Sequence, residues 1–199
     1  MDTRTDTELV QAYIDGDVGA FDVIVRRYSK SIFAFTYHLA GNPTDAQDIV
    51  QEIFMKSWKH IRKFDSEKAG FKPWLFAIAR NTAIDWLRKK RPATFTDIDA
   101  DRSRSSDDAA EQFGNAIPDG EPLADEIFEK KELAERIESM LASLPPDERT
   151  IILLHHYEML TFEEIAEILK KPMNTVKSRY RRTLAKLKDA PKPGQGTYI

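Results

Sequence analysis

The side chains best suited to bind a ligand are the lysines and arginines concentrated between residues 170 and 192. This stretch carries nine basic side chains and one acid, Asp189, in a chain whose formal net charge is −3. A merely solvated helix usually mixes both signs of charge, whereas clustered cations bind polyanions by displacing counterions from phosphates. The pattern therefore favours nucleic-acid binding over the alternative, a helical hairpin with an ordinary solvated face.

Two short helices are predicted to position these cations. Thr161 and Glu164 have the spacing of a capping box, and Pro172 predicts that the first helix ends near Lys170. Asn174 is a good cap for a second helix. The apolar side chains of that second helix recur at helical spacing and predict its inner face: Val176, Tyr180, Leu184 and Leu187. Basic and polar side chains occupy the other side, which is the pattern of a DNA-binding helix-turn-helix whose second helix enters the major groove.

Composition bounds the class of protein. The chain has 199 residues, of which 41% are hydrophobic and 32% charged, and this predicts a globular protein of one or two small domains. Cysteine is missing, which excludes disulfides, thiolate zinc sites and thiol catalysis and suits a reducing compartment. Neither a signal-peptide core nor an apolar run of about 20 residues is present. We therefore expect a cytoplasmic protein without membrane insertion.

Charge is distributed unevenly along the chain. Residues 60–91 carry nine basic and three acidic side chains, residues 92–127 carry two and ten, and residues 170–199 carry nine and one. Two basic blocks suggest two nucleic-acid contacts. The acidic segment is also polar and rich in Gly and Pro, so it is predicted to be a flexible linker. Its acids either solubilise the chain or lie in a basic channel where nucleic acid would otherwise go.

Helical periodicity runs through both sides of this linker. The predicted fold is all-α, with a helical domain at 1–91, the linker at 92–127, a four-helix helix-turn-helix domain at 128–190 and a tail at 191–199. Outside the helix-turn-helix, the periodicity predicts helices at 8–14, 21–39, 71–91, 128–144 and 148–157. A further helix is predicted to begin at a capping box formed by Thr44 and Gln47. The predicted helix at 128–144 has one apolar side, formed by Leu133, Ile137, Met140, Leu141 and Leu144.

Two helices of the first domain carry candidate binding surfaces. The segment DAQDIVQEIFMKSW has too many apolar residues for one buried stripe, so it is a candidate partner surface, although complete burial in a small bundle is an equal alternative. The segment FKPWLFAIARNTAIDWLRKKR combines aromatic rings with cations, as single-stranded nucleic acid requires. Trp74, Phe76 and Trp86 are individually more often core residues than platforms for bases.

Enzyme chemistry has no signature in the chain. His38, His60, His155 and His156 lack ligand spacing, and neither an HExxH motif nor a glycine-rich phosphate loop occurs. We expect no catalytic residue, metal site or cofactor.

The order of these parts resembles the extracytoplasmic-function class of bacterial sigma factors, the small two-domain specificity subunits of RNA polymerase. The resemblance covers about residues 5–91 and 129–188. Its strongest segments are DAQDIVQEIFMKSW, FKPWLFAIARNTAIDWLRKKR and LPPDERTIILLHHYEMLTFEEIAEILKKPMNTVKSRYRR. A single helix-turn-helix would be weak, but three segments in this order and spacing are specific.

The resemblance implies three binding surfaces. The clamp helices of the largest polymerase subunit would bind Asp48, Gln51, Glu52 and Phe54. The loop between Phe64 and Phe71 would capture an unpaired base of the −10 element, and the residues implied for −10 DNA are Phe64, Lys68, Phe71, Trp74, Arg80, Asn81, Arg88, Lys89 and Arg91. The −35 element would be read by Thr175, Lys177, Ser178, Arg181 and Arg182.

The resemblance also implies partners and a mechanism. The partners are core RNA polymerase, including its flap, double- and single-stranded promoter DNA, and an anti-sigma factor. The linker would run toward the polymerase active site and RNA exit path. Unpaired bases would gain stacking and pocket contacts that duplex DNA cannot offer, with the energy of melting shared with polymerase. We therefore expect the free protein to bind promoter duplex poorly.

The sequence differs from the pattern of this family at two positions, and two alternative functions remain open. Asn174 stands where such proteins often have glycine, and Tyr180 replaces a commoner aliphatic residue, so the −35 sequence is not predictable. The first alternative is a dimeric helix-turn-helix regulator with a two-fold operator. The second is a helical adaptor that binds only protein.

Overall fold

The structure, a computed structural model, describes residues 2–90 and 124–189, with side chains described in the second range from 133 to 188. Every regular element in these ranges is helical, which confirms the predicted all-α fold class. Four helices precede the gap: α1 (Asp6–Ile14), α2 (Val18–Ala40), α3 (Pro43–His60) and α4 (Phe71–Lys90). Four follow it: α5 (Ala124–Ser143), α6 (Pro146–Ile152), α7 (Phe162–Leu169) and α8 (Met173–Asp189). A 3₁₀ turn (Ile61–Lys63) follows α3, and a π-helical turn (Leu153–Tyr157) follows α6.

Several predicted features lie outside the described residues. These are Arg91, most of the acidic segment assigned to the linker, and the tail at 191–199.

The capping box predicted at Thr161 is confirmed. The Thr161 hydroxyl accepts from the Glu164 amide at 3.2 Å, and the Glu164 carboxylate accepts from the Thr161 amide at 2.8 Å. Each side chain thereby satisfies a backbone N–H that has no partner within the helix. At the other end, Lys170 adopts φ 51°, so α7 ends where the proline pattern indicated.

The start of α3 was predicted wrongly. The sequence pattern placed the cap at Thr44, but Asn42 caps the helix, and its side-chain oxygen accepts from the Asp45 amide at 2.8 Å. Pro43 then occupies the first turn, where its fixed φ suits a helix and its missing N–H costs nothing. This combination outcompetes the Thr44 and Gln47 pattern two residues later.

Other helix starts also differ from the prediction. α5 begins at Ala124, four residues before the predicted Phe128, and α6 begins at Pro146 instead of Glu148. Asn174 does not cap α8, since the helix begins at Met173 and the Pro172 carbonyl accepts from the amides of Thr175 and Val176. A proline in the first turn favours the earlier start of α6 for the same reason as in α3.

The buried apolar side chains of both halves form one continuous cluster. Ile24, Ile53 and Phe76 represent the first half, while Leu154 and Ile165 represent the second half. The apolar side predicted for α5 is only partly correct, because Leu141 and Leu144 are buried but Leu133 and Ile137 are 56% and 37% exposed. The core ends before the first part of that helix.

Candidate nucleic-acid interface

One side of α8 packs against the rest of the second half. Val176 and Thr183 are fully buried there, and the Thr183 hydroxyl donates to the Arg179 carbonyl at 2.9 Å. Leu184, predicted to face inward, is instead 39% exposed. With 3.6 residues per turn, seven steps from Val176 return to within about 20° of the same direction, whereas eight steps deviate by about 80°.

The opposite side of α8 presents the predicted −35 residues Ser178, Arg181 and Arg182 to solvent. The Ser178 hydroxyl donates to the Thr175 carbonyl at 3.0 Å, and Arg182 Nε donates to the Ser178 carbonyl at 3.3 Å. Among the described residues, Arg181 and Arg182 form no salt bridge, unlike several neighbouring cations. Their guanidinium groups therefore remain available to DNA.

Lys177 has a different setting from the two arginines. It is half-buried, with Nζ 5.8 Å from the centre of the Phe162 ring and 4.0 Å from the Glu163 carboxylate. The ring face and the acid both attract the ammonium group toward the start of α7. DNA would therefore have to compete with Phe162 and Glu163 for the ammonium group of Lys177.

An aromatic cluster that the sequence did not predict packs around Tyr180 of α8. The Tyr180 ring lies 5.1 Å from the rings of both His155 and Phe162, and its hydroxyl is 3.0 Å from His156 Nε2. His155 stacks on Phe162 at 4.4 Å. Burial, together with the charge of neighbouring His155, lowers the pKa of His156. The only sequence signal was the co-occurrence of Tyr180 with two adjacent histidines.

The predicted base-capturing loop borders a cluster of three rings. Phe64, Phe71 and Trp74 have centroids 5.4 to 5.5 Å apart, and Phe71 also packs 5.8 Å from Tyr28. Phe71 is only 3% exposed, so its ring forms the wall of the cluster and is not accessible to a base. Phe64 and Trp74 are half-buried, so they are more accessible than Phe71.

The loop itself is organised by Asp65. Its carboxylate accepts from the Glu67 amide at 3.1 Å and from Lys68 Nζ at 2.6 Å, and its carbonyl accepts from the Lys68 and Ala69 amides. Lys68 is highly exposed, so water weakens its ion pair with Asp65. Lys68 can therefore exchange this partner for a phosphate.

The basic end of α4 is less available than its sequence indicates. Lys90 binds the largely buried Asp45 carboxylate at 2.6 Å, and Arg88 pairs with Asp85 at 3.1 Å. Lys89 is exposed. Lys90 therefore fastens α4 to the start of α3, while Arg88 and Lys89 face solvent.

Arg80 contacts the second half of the chain, although it was predicted to meet DNA. Its Nη2 donates to the Asp147 carboxylate of α6 at 2.9 Å, and its Nη1 donates to the Asn81 side-chain oxygen at 3.1 Å. Asn81 is exposed and Arg80 is half-buried. Of this predicted pair, only Asn81 is accessible in the present arrangement.

The predicted polymerase-binding residues lie on or beside one exposed side of α3. Asp48 and Gln51 are exposed, whereas Glu52 pairs with Lys56 at 2.7 Å and Phe54 packs against the core. Sequence reasoning missed Met55 on this side. Met55 and Trp58 are 58% and 53% exposed, and their spacing from Gln51 (i, i+4, i+7) was the available signal.

Within residues 2–90 and 124–189, no helix is long and apolar enough to span a bilayer. In the same part of the chain, no group of three or more His, Asp or Glu side chains is arranged to hold a metal ion.

Comparisons with known proteins match both halves of the chain. The family model for sigma-70 region 2 matches residues 24–93, and the model for sigma-70 region 4 matches residues 134–187. The chain is 34% identical over 167 residues to the ECF RNA polymerase sigma factor SigW of Bacillus subtilis, covering 84% of this chain and 86% of that protein. It is 36% identical over 182 residues to the ECF RNA polymerase sigma-E factor of Haemophilus influenzae, covering 89% and 90%.

Solved structures share the fold. CnrH, solved in complex with the cytosolic domain of CnrY, has a TM-score of 0.64 at 24% identity, covering 92% of this chain and 94% of that one. The sigma factor RpoE from Bartonella quintana, solved with the anti-sigma factor NepR, has a TM-score of 0.59 at 21% identity, covering 84% and 94%.

Proposed function

The chain belongs to the extracytoplasmic-function RNA polymerase sigma factors of the sigma-70 family, and we propose how its surfaces divide the work of such a protein. It is a sigma factor, which binds core RNA polymerase and directs initiation to specific promoters. Sigma factors are regulators and not enzymes, and no catalytic role is proposed for this chain. The dimeric regulator considered above is not favoured by these matches.

The second half, from α5 to α8, reads the −35 element. Ser178, Arg181 and Arg182 lie together on the solvent side of α8, and guanidinium groups donate two hydrogen bonds to guanine in the major groove. Thr175 and Lys177 lie next to them near the start of the helix. The firm attachment of the opposite side through Val176 and Thr183 supports this role, since a rigid helix positions its readers accurately.

The first half, from α1 to α4, captures the −10 element as single-stranded DNA. Phe64 and Trp74 offer partly exposed ring surfaces beside the Asp65 loop, and stacked bases gain about 1–3 kcal/mol each on such rings. Lys68, Asn81 and Lys89 are exposed and would bind the neighbouring phosphates and base edges. Phe71 supports the two rings from inside the cluster.

Core polymerase binds the exposed side of α3. Asp48, Gln51, Met55 and Trp58 share that side, and large apolar groups surrounded by polar ones are typical of an interface centre. We infer that the clamp helices of the largest polymerase subunit dock here, and that the flap contacts the second half.

A regulatory partner is part of the proposal. RpoE of Bartonella quintana was solved with an anti-sigma factor, and we propose that an anti-sigma factor also controls this chain. Since polymerase and promoter DNA are cytoplasmic in bacteria, the chain would act in the cytoplasm.

The observation that carries the proposal is the match of sigma-70 regions 2 and 4 to the two halves that bear the two cationic surfaces. The test is transcription in vitro from a genomic DNA library by purified core polymerase, with start sites mapped with and without the protein. We expect new start sites that share two upstream elements. Unchanged start sites, or no association with core polymerase, would contradict the function.

A further inference from the structure

We propose that Lys59, Arg62 and Lys63, at the end of α3 and in the turn after it, form a phosphate-binding site for single-stranded DNA. These three turn cations hold the backbone beside the base that stacks on Phe64 and Trp74. None of them is among the residues that the family resemblance assigned to −10 DNA. The inference rests on the proposed function, because it takes the two rings as the site of base capture.

The segment that leads to Phe64 is cationic and contains no acid. Residues 53–64 have neither Asp nor Glu and carry four cations: Lys56, Lys59, Arg62 and Lys63. The first of these is already used, since Lys56 pairs with Glu52 at 2.7 Å and donates to the Thr82 hydroxyl at 3.2 Å. The turn cations are all exposed, and none forms a salt bridge with an acid in the described part of the chain. Their charge is therefore available to an external anion.

The 3₁₀ turn fixes the direction of two of these side chains. Ile61 is fully buried, and its carbonyl accepts from the Phe64 amide at 3.1 Å, which closes the turn. Arg62 and Lys63 are exposed on the outside of the turn. Lys63 immediately precedes Phe64, and consecutive Cα atoms lie about 3.8 Å apart. A strand whose base stacks on Phe64 therefore passes within reach of the Lys63 ammonium group.

An aromatic ring, and not an acid, positions Arg62. The guanidinium carbon lies 6.0 Å from the centre of the Tyr13 ring of α1, and that ring packs 5.6 Å from the Phe21 ring of α2. The negative face of an aromatic ring attracts a cation without cancelling its net charge. Tyr13 thus restricts Arg62 and leaves its charge and N–H groups available to a phosphate.

Three of the cations that the resemblance assigned to −10 DNA already have an acidic partner. Lys68 pairs with Asp65 at 2.6 Å, Arg88 pairs with Asp85 at 3.1 Å, and Arg80 also binds a carboxylate. A phosphate must displace an acid at each of these positions. No such displacement is needed at the turn cations, which favours them as backbone contacts next to the captured base.

A nucleic-acid backbone fits this site better than an acidic protein surface does. The turn is continuous with the three-ring cluster, and rings beside cations are the combination that single-stranded nucleic acid requires. Because the contact is to phosphates, it stabilises the bound strand whatever its base sequence. An acidic segment of polymerase is the other possible ligand, and its binding can be measured separately.

The test is the double variant Arg62→Gln with Lys63→Gln in the full chain bound to core polymerase. The probe is a fluorescent single-stranded oligonucleotide that carries the −10 element defined by the mapped start sites. For single strands, each phosphate contact contributes about −0.7 to the slope of log affinity against log salt concentration. We expect the slope to become flatter by about 1.4 for two contacts, and the affinity at about 50 mM salt to fall roughly 10-fold or more.

The matched control is Arg26→Gln with Lys30→Gln, which removes the same two residue types from exposed positions of α2. Its net charge changes equally, so a general electrostatic effect would weaken both complexes alike. We expect the control to keep the parent slope and to lose less than about twofold in affinity, since distant exposed charges are screened. Equal losses for the two double variants would overturn the proposal.

A second measurement changes the DNA and so does not depend on the folding of a variant. Uncharged methylphosphonate linkages replace the two phosphates on one side of the captured base, or the two on the other side. One of these oligonucleotides should bind the parent complex more weakly than the unmodified strand does, while the double variant at Arg62 and Lys63 should be insensitive to that replacement. If the parent complex is insensitive to both replacements, the proposal is wrong.

Two further outcomes identify which inference fails. Normal binding of the oligonucleotide by the double variant, together with weakened binding to core polymerase, would assign the turn cations to a protein contact and overturn the proposal alone. Failure of the parent complex to bind the oligonucleotide would contradict the proposed function and, with it, this inference.

Discussion

Single cations of the helix-turn-helix differ in what they can offer DNA. Lys171 and Arg179 bind Asp147, and Lys186 lies 3.0 Å from the Glu148 carboxylate. Arg181 and Arg182 project into solvent on the other side of α8. The count of positive charges in the sequence therefore overstates the DNA-binding surface, because part of that charge is neutralised by acids of α6.

The first prediction concerns Arg181. Replacing Arg181 with Ala should weaken binding to the −35 element by about 1–3 kcal/mol if the guanidinium reads a base. The measurement is the affinity of the polymerase complex for promoter fragments that carry the original or a substituted −35 element.

Lys30→Ala is the control, since Lys30 is an exposed cation on α2, outside the proposed DNA surfaces. A loss for Arg181→Ala that is equal on all sequences would instead make Arg181 a phosphate contact.

The second prediction concerns Trp58. Replacing Trp58 with Ala should weaken binding to core polymerase by about 2 kcal/mol or more, since exposed aromatic rings at interface centres dominate such energies. The measurement is a fluorescence titration of the protein with core polymerase. Val18→Ala serves as the control, because Val18 is even more exposed but lies at the start of α2, outside α3 and outside the second half. Equal affinities for the two variants would exclude α3 as the docking surface.

At the scale of helices, local patterns determined where most elements lie but not always where they begin. The Thr161 and Glu164 box acts as predicted, whereas the similar Thr44 and Gln47 pattern is bypassed. Asn42 wins because Asp45 gives it two contacts: the backbone amide at 2.8 Å and a side-chain oxygen at 2.6 Å. Asp45 is itself held by Lys90 of α4. Tertiary structure thus selects between two caps that are each plausible locally.

The third prediction tests this choice. Asn42→Ala should destabilise the protein by about 1–2 kcal/mol through loss of the cap, whereas Thr44→Ala should lie within about 0.5 kcal/mol of the parent protein. Urea unfolding followed by circular dichroism measures both. If Thr44→Ala were the more damaging change, the assignment of the cap to Asn42 would be wrong.

At the scale of the whole molecule, the contact between the two halves includes the histidine His38, whose pKa depends on that contact. The His38 ring lies 5.7 Å from Tyr157 and 5.8 Å from Tyr37, and its own carbonyl accepts from Arg149. Burial lowers the pKa of His38, and the positive charge of Arg149 adds to this effect. Burial and the nearby Glu138 raise the pKa of Tyr157, which keeps that phenol neutral.

The fourth prediction follows from the sign of this shift. Because the folded form disfavours protonated His38, unfolded chains bind more protons once the pH falls below about 6.5. The contribution of His38 is fully present above that pH and is lost as the pH falls toward the lowered pKa. The free energy of unfolding should therefore decrease from pH 7.5 to pH 5.5, and urea unfolding followed by circular dichroism at both pH values measures it.

The comparison variant is His38→Gln, which cannot titrate. The free energy of unfolding of this variant should decrease less over the same pH range than that of the parent protein. Identical slopes would show that His38 does not contribute.

The sequence by itself determined the helical class, the family, the two cationic blocks and the outward direction of Arg181 and Arg182. These properties depend on residue types and on spacing within a few turns of helix, so local rules suffice to find them. Polar surfaces such as the Ser178 side of α8 also follow from the same periodicity.

Only the tertiary structure decided which of those side chains are available. Phe71 is enclosed by Tyr28, Phe64 and Trp74, and Arg80 meets Asp147, which is 67 residues away in the sequence. Such contacts depend on how separate helices pack in three dimensions, and no local spacing encodes them. For the same reason, the charge that the sequence assigns to DNA is partly used to join the two halves of the protein.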